Sequence, residues 1–176
     1  MLVFVLAYLL TWPVWLALSP AYDRLLARAA NAVVPLVSRG LLQHRVTLVD
    51  QTFYVHVWAK VPKTGIKVDA RSVEFNWLLM VPLLAATRSV GRGAVGPVRA
   101  ALAVLALVAL HVTFLVTLAE YRTLRTAQVH PQLNFALYVF GQFYYSVGRI
   151  GLPILIWMPM GLGLLQRPPP GALVRS

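Results

Sequence analysis

The sequence predicts a membrane all-α bundle of about four transmembrane helices, with a small extramembrane β-meander between the first and second. Three observations predict it. The 176 residues are 59% hydrophobic and only 12% charged, where a soluble domain carries about 25% charged residues. Mean hydropathy is +0.71, and the apolar residues gather in blocks near the ~20 residues that a bilayer span requires. Between the first two blocks, one stretch changes to a period of two, the signature of strands.

Residues 1–18 form the first block. They are apolar apart from Thr11, and Trp12 and Trp15 stand near the end, where tryptophan sits at headgroup level. No basic segment precedes the block, so it reads as an uncleaved span rather than a signal peptide. Ser19-Pro20 reads as a cap and first turn of a new helix over residues 19–40. Its apolar stripe is Tyr22, Leu25, Leu26, Ala29, Ala30, Val33 and Leu36, with Asp23, Arg24, Arg28 and Asn31 facing away. That amphipathic helix lies on the membrane or packs on its own bundle.

Residues 44–71 carry the meander. Arg45–Val49, Thr52–Trp58 and Ile66–Ala70 alternate, Asp50-Gln51 offers a turn, and Lys60–Gly65 is a basic loop. Three short strands are marginal alone, so they should rest on the helices or on a partner. The second span is expected over residues 73–88 and the third over 97–119. Residues 133–165 are too long for one straight span, at about 50 Å against a core of about 30 Å. They are read as an aromatic interfacial segment followed by the fourth span, with Gly141, Gly148, Gly151, Pro153 and Pro159 as places to bend. Residues 166–176, rich in proline, are expected to be disordered.

The net charge is +11, and the basic residues flank apolar blocks. Anionic lipid headgroups are therefore the expected partner, and no nucleic-acid motif accompanies the charge. Ten basic residues fall on the side of the β segment and five opposite it. That bias favours a cytoplasmic β segment. The absence of cysteine removes disulfides, thiolate metal sites and a cysteine nucleophile.

Ionisable and amide groups in or near spans need partners. Five candidates stand out: Glu74 and Asn76 at the start of the second span, His111 within the third, Glu120 at its end, and Arg149. Glu120 is expected to pair with Arg149, with Glu74 close enough to join. One reading is a polar site for a peptide or lipid headgroup. The other, which outweighs it, is a structural lock between helices. No second ligand stands at a suitable spacing from His111, so a hydrogen bond to a neighbouring helix is expected in place of haem or metal ligation. Neither a nucleophile elbow nor a zinc-protease motif occurs, so no catalytic role and no cofactor are expected.

The layout resembles one family of small exosortase-associated membrane proteins. Trp12-Pro13-Val14-Trp15, leading to Ser19-Pro20-Ala21-Tyr22, is similar to that family's Trp-rich first span and its turn. Phe75-Asn76-Trp77 with Val81-Pro82-Leu83-Leu84 looks like its second-span entry. Phe140-Gly141-Gln142-Phe143-Tyr144-Tyr145 and Gly151-Leu152-Pro153 look like its last. The resemblance implies a non-catalytic accessory in a bacterial inner membrane, partnering a larger sorting enzyme. It also implies the opposite placement of the β segment from the charge count, and both placements stand open. The alternatives are a structural subunit of another membrane complex and a small membrane enzyme or cofactor carrier.

Overall fold

The structure, a computed structural model, describes residues 2–37, 45–56, 66–90, 97–128 and 130–165. In chain order the elements are α1 (Leu2–Val37), β1 (Arg45–Val49), β2 (Thr52–His56), β3 (Ile66–Asp69), α2 (Ala70–Val90), α3 (Pro97–Ala127), α4 (Pro131–Phe143) and α5 (Arg149–Leu165). A π-helical turn, Tyr144–Gly148, joins α4 to α5. The long elements make four helical rods, because α4, the π turn and α5 follow one another without a break. The expected Lys60–Gly65 loop and the tail beyond residue 165 lie outside the described residues.

The break expected at Ser19-Pro20 does not occur. Helix α1 runs for 36 residues through Pro13, Pro20 and Pro35. Pro20 has no N–H to give the carbonyl of Leu16. The Ser19 hydroxyl turns back to that carbonyl instead, at 3.5 Å. A nearby hydroxyl can supply a proline-freed carbonyl in this way and let the helix continue. Thr11 likewise donates to the Ala7 carbonyl at 2.6 Å.

The packed face of α1 also differs from the expected stripe. Leu26, Ala27, Ala30 and Val34 are buried, and so is Asp23, which was expected to face away. Leu25 and Leu36 are exposed. The helix is rotated so that Asn31 meets the sheet. Asn31 Nδ2 donates to the Val46 carbonyl at 2.8 Å, and the Val46 N–H donates to Asn31 Oδ1 at 2.8 Å. This side-chain amide takes the place of a missing neighbour strand and closes the β1 edge.

The three strands form an antiparallel sheet in the order β1-β2-β3. Val46 faces Val55, and Phe53 faces Val68. These four side chains are buried together with Leu26, Ala27, Ala30 and Val34 of α1 and Phe114, Leu115, Val116 and Ala119 of α3. The alternation seen in the sequence thus supplies one apolar face, which rests on the helices. Asp50 and Gln51 form the β1–β2 turn, both at positive φ (48° and 60°), as a two-residue primed hairpin turn requires.

Two predictions follow from these contacts. Replacing Asn31 with leucine strips both polar groups of Val46 of their partner, at about 1–3 kcal/mol for an unsatisfied buried group. Amide exchange should accelerate at Val46, with Asn31→Asp intermediate because the acceptor survives. Gln51→Gly should raise the thermal midpoint slightly. Relief of a left-handed side-chain conformation, about 1 kcal/mol, exceeds the loss of one exposed hydrogen bond from Arg71 Nε (3.1 Å).

Helix α4 returns along α3 as an antiparallel hairpin. Tyr138 lies beside Tyr121, with ring centroids 5.8 Å apart, and Tyr144 stacks on Phe114 at 4.1 Å. Where an interfacial segment and a separate span were expected over 133–165, the helix runs on through the π turn. There Ser146 donates to the Gln142 carbonyl at 2.6 Å. α1 packs on α2 and α3, and α2 on α5, which closes the four rods into a bundle.

Candidate functional site

Four polar side chains, one from each rod, meet just beneath the sheet. Tyr22 of α1 places its hydroxyl 2.7 Å from His111 Nδ1. Asn76 of α2 places Nδ2 3.3 Å from His111 Nε2. The same Nδ2 donates to the Tyr144 hydroxyl at 3.1 Å. Asn76 and His111 are fully buried, and Tyr144 is 1% exposed.

A neutral imidazole has one donor and one acceptor nitrogen. With Asn76 Nδ2 donating to His111 Nε2 as well as to Tyr144, the ring proton sits on Nδ1 and points at the Tyr22 oxygen. Asn76 Oδ1 is left without a hydrogen-bond partner. Both ring nitrogens of His111 are engaged, so neither stands free to ligate a metal or a haem.

Aromatic rings close the layer from the side. Trp15 stacks on Trp77 with centroids 5.5 Å apart, and Tyr22 meets Trp77 edge-on at 5.5 Å. Beyond the layer lies a second apolar cluster built on Trp77, Met80, Ala103 and Leu107. The polar layer is therefore sealed between two apolar clusters.

Of the sequence candidates, the structure brings Asn76 and His111 together. Glu120 lies nine positions beyond His111 on α3, about 13 Å along the helix axis, and does not share the layer. It is half-buried, with Oε1 lacking a hydrogen-bond partner among the described residues. Glu74 sits in the first turns of α2 and Arg149 opens α5. Their side chains, and with them the expected Glu120–Arg149 pair, lie outside what is described. Sequence reasoning missed Tyr22 and Tyr144 as partners of His111. A signal was present, since each is a tyrosine in an apolar setting with a polar tip to satisfy. Among the described residues, no three His, Asp or Glu side chains are grouped to hold a metal.

No protein-family model, no curated protein and no solved structure matches the chain. What fold and site define is a class: a mostly helical bundle with a small antiparallel sheet and a buried polar layer. Among the described residues, two helices are long and apolar enough to cross a membrane. One is Leu2–Val37, whose most apolar stretch is entirely unburied; the other is Ala100–Arg122.

Proposed function

We propose that this chain is a non-catalytic integral membrane subunit whose four rods cross the bilayer and whose sheet stands at one membrane face. The observation that carries the reading is the sealed polar layer. Hydrogen bonds join Tyr22, His111, Asn76 and Tyr144, with Asn76 Oδ1 left over, and no solvent reaches His111 or Asn76. Such a layer locks helices to one another and offers a substrate no entry.

Several features support four spans. The first half of α1 exposes Leu2, Leu6, Leu9, Leu10 and Leu16, which suits contact with lipid or with another membrane helix. α2 has 21 residues, about 31 Å of helix, near the ~30 Å of a hydrocarbon core. The α4–α5 rod exposes Val147, Ile150, Ile154 and Leu155 along its second half.

A subunit with wide apolar helix faces and its polar layer sealed inside acts by binding a larger membrane partner. The exosortase-associated resemblance gives that partner a class, a membrane-embedded sorting enzyme. The cysteine-free chain lacks the nucleophile of that enzyme and serves as its accessory. Photo-crosslinkers at Leu9 and Leu16 test this in intact membranes. A single larger product containing an exosortase-type enzyme supports the reading, and crosslinks only to lipid contradict it. A product with a different membrane complex reassigns the chain to that assembly.

A further inference from the structure

We propose that the groove between β3 and the α3–α4 hairpin binds an anionic phospholipid, with the phosphate between Lys67 and Arg125 and the acyl chains descending along α4. The proposal rests on the membrane reading above. The groove has a volume of about 370 Å³, within the ~300–1,000 Å³ of ordinary ligand pockets. That accommodates a headgroup and the upper part of a lipid.

The lining mixes charged and apolar side chains. Lys67 comes from β3 and Arg125 from α3, while Leu118, Leu137 and Phe114 supply apolar surface and Gln142 a further polar group. Arg125 and Phe114 are eleven positions apart on α3, about 16 Å along the axis. Beyond Tyr145 the outer face continues into exposed Val147, Ile150 and Ile154. A groove that joins two cations to apolar side chains matches an amphiphile better than a free anion.

Charge complementarity names the headgroup. None of the lining residues is acidic, and each cation has a tyrosine ring about 6 Å away. Lys67 Nζ lies 5.9 Å from the centroid of Tyr54. Arg125 lies 6.0 Å from the Tyr121 ring and donates to its hydroxyl at 3.1 Å. The sheet adds a backbone donor. Ala70 N–H bonds to the Gln51 carbonyl, and antiparallel pairs alternate. Given the register Tyr54↔Lys67, the N–H of Lys67 points away from β2 toward the groove.

The test uses the full chain, delipidated in mild detergent, and native mass spectrometry with phosphatidylglycerol or phosphatidylcholine added. One phosphatidylglycerol should be retained in preference to phosphatidylcholine. Each basic residue near an anionic surface is worth roughly a fivefold affinity, so Lys67→Gln with Arg125→Gln should weaken retention about 25-fold. Lys67→Arg with Arg125→Lys should keep it, which separates charge from folding. Arg24→Gln with Arg28→Gln, on exposed positions of α1, should also leave it unchanged. Equal retention of the two lipids overturns the proposal, as does an equal loss in the α1 control. Full displacement by inorganic phosphate overturns the lipid as occupant. A chain that is soluble without detergent defeats the membrane reading itself, which is a separate result.

Discussion

Replacing Asn76 with leucine lowers stability by about 1–4 kcal/mol. The change removes the amide that bridges His111 Nε2 and the Tyr144 hydroxyl. Each buried group left unsatisfied costs about 1–3 kcal/mol. Hydrogen bonds between membrane helices are worth about 0.6–2 kcal/mol apiece, which sets the lower end. Leucine keeps the branched outline of asparagine and is larger, so the loss contains no cavity. The thermal midpoint in detergent measures it. A second substitution sharpens the result. His111→Leu made in the Asn76→Leu chain should cost less than it does alone, since one of its contacts has already gone. Coupling of about 0.5–3 kcal/mol is usual for groups in direct contact. Strict additivity would show that the two side chains do not act as one layer.

Phe53→Ala is expected to cost about 3–5 kcal/mol, the usual range for a buried phenylalanine. Phe53 is fully buried at the centre of β2 and belongs to the apolar cluster that joins the sheet to α1 and α3. The cluster around Trp77, Met80 and Leu107 lies on the other side of the polar layer. The loss should therefore be local. Hydrogen exchange should accelerate in Arg45–Val49, Thr52–His56 and Ile66–Asp69, while the middle of α3 keeps its protection. Equal loss through all four rods would mean that sheet and bundle unfold as one unit.

The sheet was legible in the sequence because a strand has a period of two and only one of its faces is buried. Val46, Phe53, Val55 and Val68 fall on that face without exception. The turn was harder to see. Asp50-Gln51 lacks the glycine that usually marks a primed turn, yet both residues adopt positive φ. The continuity of α1 was not legible. Proline after serine signals a helix start in water, and only the Ser19–Leu16 contact reveals that the chain runs on. The face of α1 was misjudged for a related reason. When lipid or a partner covers one side of a helix, leucine no longer marks the inside, so Leu25 is exposed while Asp23 is buried.

The site was half legible. Asn76 and His111 were conspicuous as polar groups in apolar blocks. Their partners were not, because Tyr22 and His111 are 89 positions apart, and meeting requires matching heights and rotations on two helices. The π turn adds a further rotation before Tyr144 reaches Asn76, and no residue pattern announced it.

The central claim is that four rods cross the bilayer with the sheet at one face. The chain has no cysteine, so single cysteines can be labelled in intact vesicles with a membrane-impermeant maleimide. Gln51 lies in the β1–β2 turn, Gln128 at the end of α3 and Val98 at its start, and all three are exposed. Labelling of Gln51→Cys and Gln128→Cys from one side, and of Val98→Cys only from the other, is the predicted result. Labelling of all three from the same side would contradict the account.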